Sequence, residues 1–140
     1  MIKISRQADY ALQLILELSA LEHKQLLSLK IFSLKSSISF LFLQKIAKKL
    51  REAGLIEAGY GKNGGYKLKK SADEITLKNV IETIDGPYGT TDCARAGGYC
   101  QKADKCHVKH GLNQVNNQII KYFENVKVID LIVEKPKQNV

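Results

Sequence analysis

The chain lacks any stretch near the roughly 20 consecutive apolar residues that a membrane helix requires. Its most apolar runs, YALQLILELSAL and ISFLFL, are short and interrupted, so no membrane partner is expected. The leading MIKISRQAD has neither the apolar h-region nor the small-residue cleavage site of a secretory signal, and a cytoplasmic location is expected. There is no internal repeat and no low-complexity linker, so the 140 residues are read as one domain, or one domain with a small appendage. Cysteine is absent except between positions 93 and 106, where all three occur. An odd number of thiols argues against a closed disulfide framework. In a reducing compartment, clustered thiols read as metal-binding or catalytic first.

Acidic residues are also scarce: 14 against 22 lysines and arginines, for a formal net charge of +8. The excess is local. Residues 44 to 70 hold Lys45, Lys48, Lys49, Arg51, Lys62, Lys67, Lys69 and Lys70 against only Glu52 and Glu57. Such a surface suits a polyanion, nucleic acid before anionic membrane. The plainer reading of a lysine-rich segment is a solvated face. An apolar content of 44% is enough for a real core.

Periodicity predicts a helix over residues 4–21, with Ala8, Ala11, Leu12 and Ile15 on one face and Leu14, Leu18 and Leu21 on a second. A short helix is predicted over 28–36 and is broken by SSIS. Ser39 is placed as N-cap of a third helix with Leu43, Ile46, Ala47 and Leu50 along one stripe, stopped by Gly54. LIEAGYGKNGGYKLKK then reads as a hairpin with a two-residue turn at Asn63-Gly64. Thr76 caps a fourth helix bearing Leu77, Val80, Ile81 and Ile84, which ends at Gly86-Pro87. Finally Leu112, Val115, Ile119, Tyr122, Val126 and Ile129 are spaced 3, 4, 3, 4, 3, as on a helix with a seam for another helix. That seam serves either a second subunit or the chain's own domain. The predicted class is mainly α with a small β-hairpin, in the element order of a winged helix-turn-helix, plus a long C-terminal dimerisation helix.

The segment DCARAGGYCQKADKCHVKH carries Cys93, Cys100 and Cys106, followed by His107 and His110. Zinc ribbons use shorter spacings that close on one ion. Separations this wide suit a larger object, and thiolate is the standard ligand of iron–sulphur clusters. Gly97 and Gly98 permit close approach. Arg95, Lys102, Lys105 and Lys109 offset the charge of a thiolate-ligated cluster. Zinc remains the alternative. A catalytic Cys106–His107 pair is also conceivable, but no third orienting group accompanies it. His23 is read as a surface residue.

With those residues in view, the chain resembles the Rrf-two family of winged-helix transcription regulators, and its cysteine segment resembles the IscR-type branch. DYALQLILELS resembles the family's first helix. ISFLFLQKIAKKLREAGLIEAGYGKNGGYKL resembles its recognition helix and wing, EITLKNVIETIDG the helix after the wing, and CARAGGYCQKADKCHVKHGL the cysteine segment. The resemblance implies a non-enzymatic homodimer that binds double-stranded DNA and takes no small-molecule substrate. It also implies an iron–sulphur cluster held by Cys93, Cys100, Cys106 and one histidine, a two-iron form ahead of a four-iron form. His110 matches the family's histidine before the last helix. One extra residue between the first two cysteines, and one between Cys106 and His110, keep His107 as the alternative.

The motif would place Ser39 to Lys48 in a major groove and the 62–65 turn, with Gly64 and Gly65, over a minor groove or phosphates. Lys45, Lys48 and Lys49 would then hold phosphates. Leu41, Phe42 and Gln44 stand where the family commonly reads bases with small polar, tyrosyl and acidic residues, and Phe42 has a second reading as a core residue. Tyr60 stands where a wing arginine would lie, with Lys62 as the nearest cation. The expected division is residues 1–86 for DNA binding, 87–110 for the cluster loop, and 111–140 for the dimer helix, with Leu112, Val115, Ile119, Tyr122 and Val126 in the interface. Other readings are a nitric-oxide- or redox-sensing relative with a different cluster, a zinc-stabilised DNA binder, and a cluster carrier that no longer reads DNA.

Overall fold

The computed structural model describes residues 3–61 and 64–132. The elements run α1 (Arg6–Ser19), α2 (Leu29–Ser36), α3 (Phe40–Glu52), β1 (Ile56–Gly59), β2 (Gly65–Leu68), α4 (Leu77–Asp85) and α5 (Lys109–Asn125). Ser5 opens α1. Its hydroxyl accepts from the Ala8 N–H at 3.0 Å and donates to Asp85 at the end of α4 at 2.8 Å. One side chain therefore caps a helix and pins it to another. Both apolar faces of α1 are used, with Ala8, Ala11, Leu14 and Ile15 fully buried. The helix packs on α3, α4 and β2. The methyl side chains of Ala8 and Ala11 let those neighbours come close.

Four residues of α3, Leu43, Ile46, Ala47 and Leu50, form its buried stripe as the spacing predicts. Between α2 and α3 the chain turns on Ser37, which takes a left-handed φ of 60°. That conformation is uncommon without glycine, and serines hold it. The Ser33 hydroxyl donates to the Ile38 carbonyl, the Ser36 hydroxyl accepts from the Ile38 N–H, and Ile38 itself is buried. Gly54, with a φ of 76°, ends the helical segment as expected.

The two strands pair antiparallel as a hairpin, as expected. Strand pairing runs as far as Gly59 opposite Gly65, and the Gly64 N–H donates to the Gly61 carbonyl at 3.1 Å. The expected Asn63-Gly64 turn falls on Asn63, which lies outside the described residues. The wing is also fixed from the side. Leu27 and Tyr66 exchange both backbone hydrogen bonds at 2.9 Å, and a Cβ on Gly65 would stand 2.4 Å from the Leu27 carbonyl oxygen. Glycine at 65 thus permits a third, one-residue rung to the sheet.

Thr76 and Asn79 form a capping box at the start of α4, at 3.0 and 2.9 Å. The last helix is shorter than its spacing suggests. It ends at Asn125, so Val126 and Ile129 do not continue it. The chain extends there instead and rejoins the body: Leu77 N–H donates to the Val126 carbonyl at 2.8 Å, Val128 N–H donates to Ile75 at 2.9 Å, and Val128 is fully buried. No helix among the described residues is long and apolar enough to cross a membrane.

Candidate nucleic-acid interface and cysteine loop

Opposite its buried stripe, α3 presents Leu41, Gln44, Lys45 and Lys48 at i, i+3, i+4 and i+7, and all four are exposed. Ser39 is exposed at the N-cap position and makes no side-chain capping hydrogen bond. Tyr60 projects at the wing tip, 92% exposed, with Gly64 exposed beside it. Lys62 lies outside the described residues.

Two of the expected residues also make contacts within the fold. The Lys49 ammonium donates to the Ile84 carbonyl at 3.0 Å, at the last turn of α4, where a cation is favoured. It therefore also serves the fold, tying α3 to the end of α4. Phe42 sits beside the exposed stripe with its ring edge-on to Tyr10 at 6.1 Å, and is 37% exposed. It contacts α1 through that ring pair and stays exposed beside the stripe. Gly65, as described above, faces Leu27.

The cysteine loop has an anchored half and an open half. Tyr88 packs edge-on against Phe123 of α5 at 5.2 Å. Next to it is Asn116, 2% exposed and the one fully buried residue of α5. Its amide oxygen accepts from the Thr90 N–H at 2.8 Å, and its amide nitrogen donates to the Ala94 carbonyl at 3.4 Å. Cys93 lies between those two clamps, half-buried, with Sγ 3.2 Å from the Thr91 hydroxyl. A Cβ on Gly98 would stand 1.8 Å from the Asp92 carbonyl oxygen, so that turn closes only on glycine. Beyond it Cys100 is half-buried and Cys106 exposed, at the end of a short 3-10 turn (Ala103–Lys105). His107 is exposed before α5. His110 is exposed on its first turn, 3.4 Å from the Gln114 side chain.

The donors are thus in one loop but not drawn together. Among the described residues, no three of His, Cys, Asp or Glu converge closely enough to hold a metal ion. All three thiols are free. The donor set suits an iron–sulphur cluster chemically, while the geometry requires the open half of the loop to fold in. Asn116 is the residue that sequence reasoning missed. Its signal was a single amide on the stripe Asn116, Ile119, Ile120, Phe123, where an apolar residue would be expected. Asn116→Ala would leave two part-buried backbone groups, the Thr90 N–H and the Ala94 carbonyl, without this partner. A stability loss of about 1–3 kcal/mol is expected, readable as a lower denaturant midpoint.

On the outer face of α5, Leu112, Val115 and Tyr122 are exposed and Ile119 is half-buried. Val126 lies just beyond the end of α5 and packs half-buried against the chain's own core.

A family model for Rrf2, described as an iron-dependent transcriptional regulator, matches residues 4–134. The chain belongs to the Rrf2 family. Its role within that family is that of a transcriptional regulator, not an enzyme. Among curated proteins it is similar to Protein aau3 of Rhizobium meliloti, 29% identical over 98% of this chain and 89% of the relative. It is also similar to the HTH-type transcriptional regulator IscR of Pectobacterium carotovorum, 27% identical over 95% of this chain and 80% of that protein. Among solved structures it resembles CymR, the global cysteine regulator of B. subtilis, with a TM-score of 0.76 at 24% identity, covering 94% of this chain and 96% of that one. The Rrf2 winged-helix fold therefore accounts for α1 to α4 and the hairpin. The cysteine loop and α5 follow it along the chain.

Proposed function

We propose that this Rrf2 protein is an IscR-like DNA-binding regulator whose affinity is set by an iron–sulphur cluster in the cysteine loop. The observation that carries DNA binding is the exposed stripe of α3, which ends in Lys45 and Lys48 on the second helix of a helix-turn-helix. In this reading Ser39 and the stripe enter the major groove. Tyr60, Gly64 and Lys62 reach the backbone or minor groove from the wing. Cys93, Cys100 and Cys106 hold the cluster, with His110 as fourth ligand and His107 as the other candidate. The bound group would supply a redox- and iron-responsive state. The division into residues 1–86, 87–110 and 111–140 is a division of roles, because the 126–128 segment packs back into the first part.

Asn116 links ligand binding to assembly. It clamps the loop that bears Cys93 onto α5, and α5 carries the outer apolar face of Leu112, Val115, Ile119 and Tyr122. In a homodimer built on that face, drawing the loop in would favour one spacing of the two α3 helices. That is a shift of population between placements.

Salt-dependent binding tests the DNA face. Lys45→Ala and Lys48→Ala should each weaken specific and non-specific duplexes about equally. Each should flatten the plot of log affinity against log salt by roughly two counterions per dimer at most. Variants that bind like wild type at every salt would make the stripe a solvated surface and favour the cluster-carrier reading.

A further inference from the structure

Leu41 is the outermost side chain on the first turn of α3 and is 69% exposed. Its apolar neighbours are occupied. Phe42 stands edge-on to Tyr10, and Phe40 is half-buried with the Lys30 ammonium 5.9 Å from its ring centroid. On α2 the exposed Ile31 and Leu34 are interleaved with Lys30 and Lys35. Leu41 belongs neither to the core nor to an aromatic or cationic pair among the described residues. A lone exposed leucine is ordinary. Its setting is not: no acidic residue stands in this turn, and the stripe runs from leucine through an amide, Gln44, to the ammonium groups of Lys45 and Lys48. A face that turns cationic within one helical turn is unsuited to an apolar protein partner and suited to a groove walled by phosphates.

Within the major groove the thymine C5-methyl is the apolar base-edge group, and a glutamine amide pairs bidentately with adenine N6 and N7. We infer that Leu41 and Gln44 select A·T pairs. Leu41 covers a thymine methyl at the position reached by the first turn of α3, and Gln44, one turn along, pairs with an adenine edge. This inference rests on the DNA-binding reading above and adds the chemistry of the target.

The test is selection of duplexes from a random pool with the full-length protein purified anaerobically, followed by titration of the winning duplex with uracil replacing each thymine in turn. Uracil lacks only the methyl group. Wild type should lose about fourfold per half-site at one thymine position, the equivalent of exposing one methyl group. Leu41→Ala should bind thymine and uracil duplexes equally, at the weaker affinity, and Gln44→Ala should lose preference at a different position. If the pool yields a motif but uracil is tolerated everywhere, or the uracil penalty persists in Leu41→Ala, the inference is overturned while DNA binding stands. If no sequence is enriched at all, the DNA-reading role itself falls and the inference with it.

Discussion

Cys93→Ala, Cys100→Ala and Cys106→Ala are each expected to come off an anaerobic purification colourless where the wild-type protein is red-brown. The change is all-or-none because each thiolate would hold a corner of one cluster. The fold should survive it. Cys100 and Cys106 lie in the open half of the loop, Cys93 is only half-buried, and none belongs to the core. Circular dichroism should therefore be unchanged in all three. His110→Ala should shift the absorption or hasten its decay, and His107→Ala should do less. The opposite order would move the fourth ligand to His107. A full-strength spectrum in any cysteine variant removes that thiol from the ligand set. Colourless wild-type protein containing zinc would replace the cluster with a structural ion.

Val115→Glu is expected to give monomers. Val115 is 47% exposed and lies on the outer apolar face of α5, away from the stripe headed by Asn116. The monomer's own packing therefore does not require it, and helical content should be retained. In a dimer built on that face, the carboxylate would be buried opposite apolar side chains without a partner, which is strongly destabilising. A monomer engages one half-site at a time. Loss of the linked second contact should weaken binding to a two-half-site duplex by about 100-fold or more. Light scattering and anisotropy on the same sample measure both effects. A soluble, unchanged dimer would place the interface on another face.

Much of the winged domain was legible because its signals are local. The stripes of α1, α3 and α4 follow the 3.6-residue period, and Thr76 and Gly54 act within one turn of the helix ends they define. The hairpin strands were legible, but their side support was not. Tyr66 bridges to Leu27, a residue far back in the chain, and Gly65 meets the Leu27 carbonyl. The C-terminal helix was overextended for a related reason. Val126 and Ile129 continue the apolar spacing, but long-range backbone bonds of Val126 to Leu77 and of Val128 to Ile75 draw this segment out of the helix. At the candidate site, the thiol and imidazole groups of the loop and the basic stripe of α3 could be read from residue identity alone. The clamp of Asn116 on Thr90 and Ala94, and the bond of Lys49 to Ile84, depend on neighbours 22 to 35 residues away, which spacing does not report.

The most direct measurement is a pair of anisotropy titrations on one selected duplex at one salt concentration. The first uses protein whose iron and sulphide content shows a loaded loop, the second the same preparation after the cluster has been removed under anaerobic conditions. Control of DNA affinity by the loop predicts dissociation constants that differ by at least about tenfold, a coupling of roughly 1.4 kcal/mol, with the difference abolished in Cys93→Ala. Equal affinities for the two preparations, both bound specifically, would contradict it.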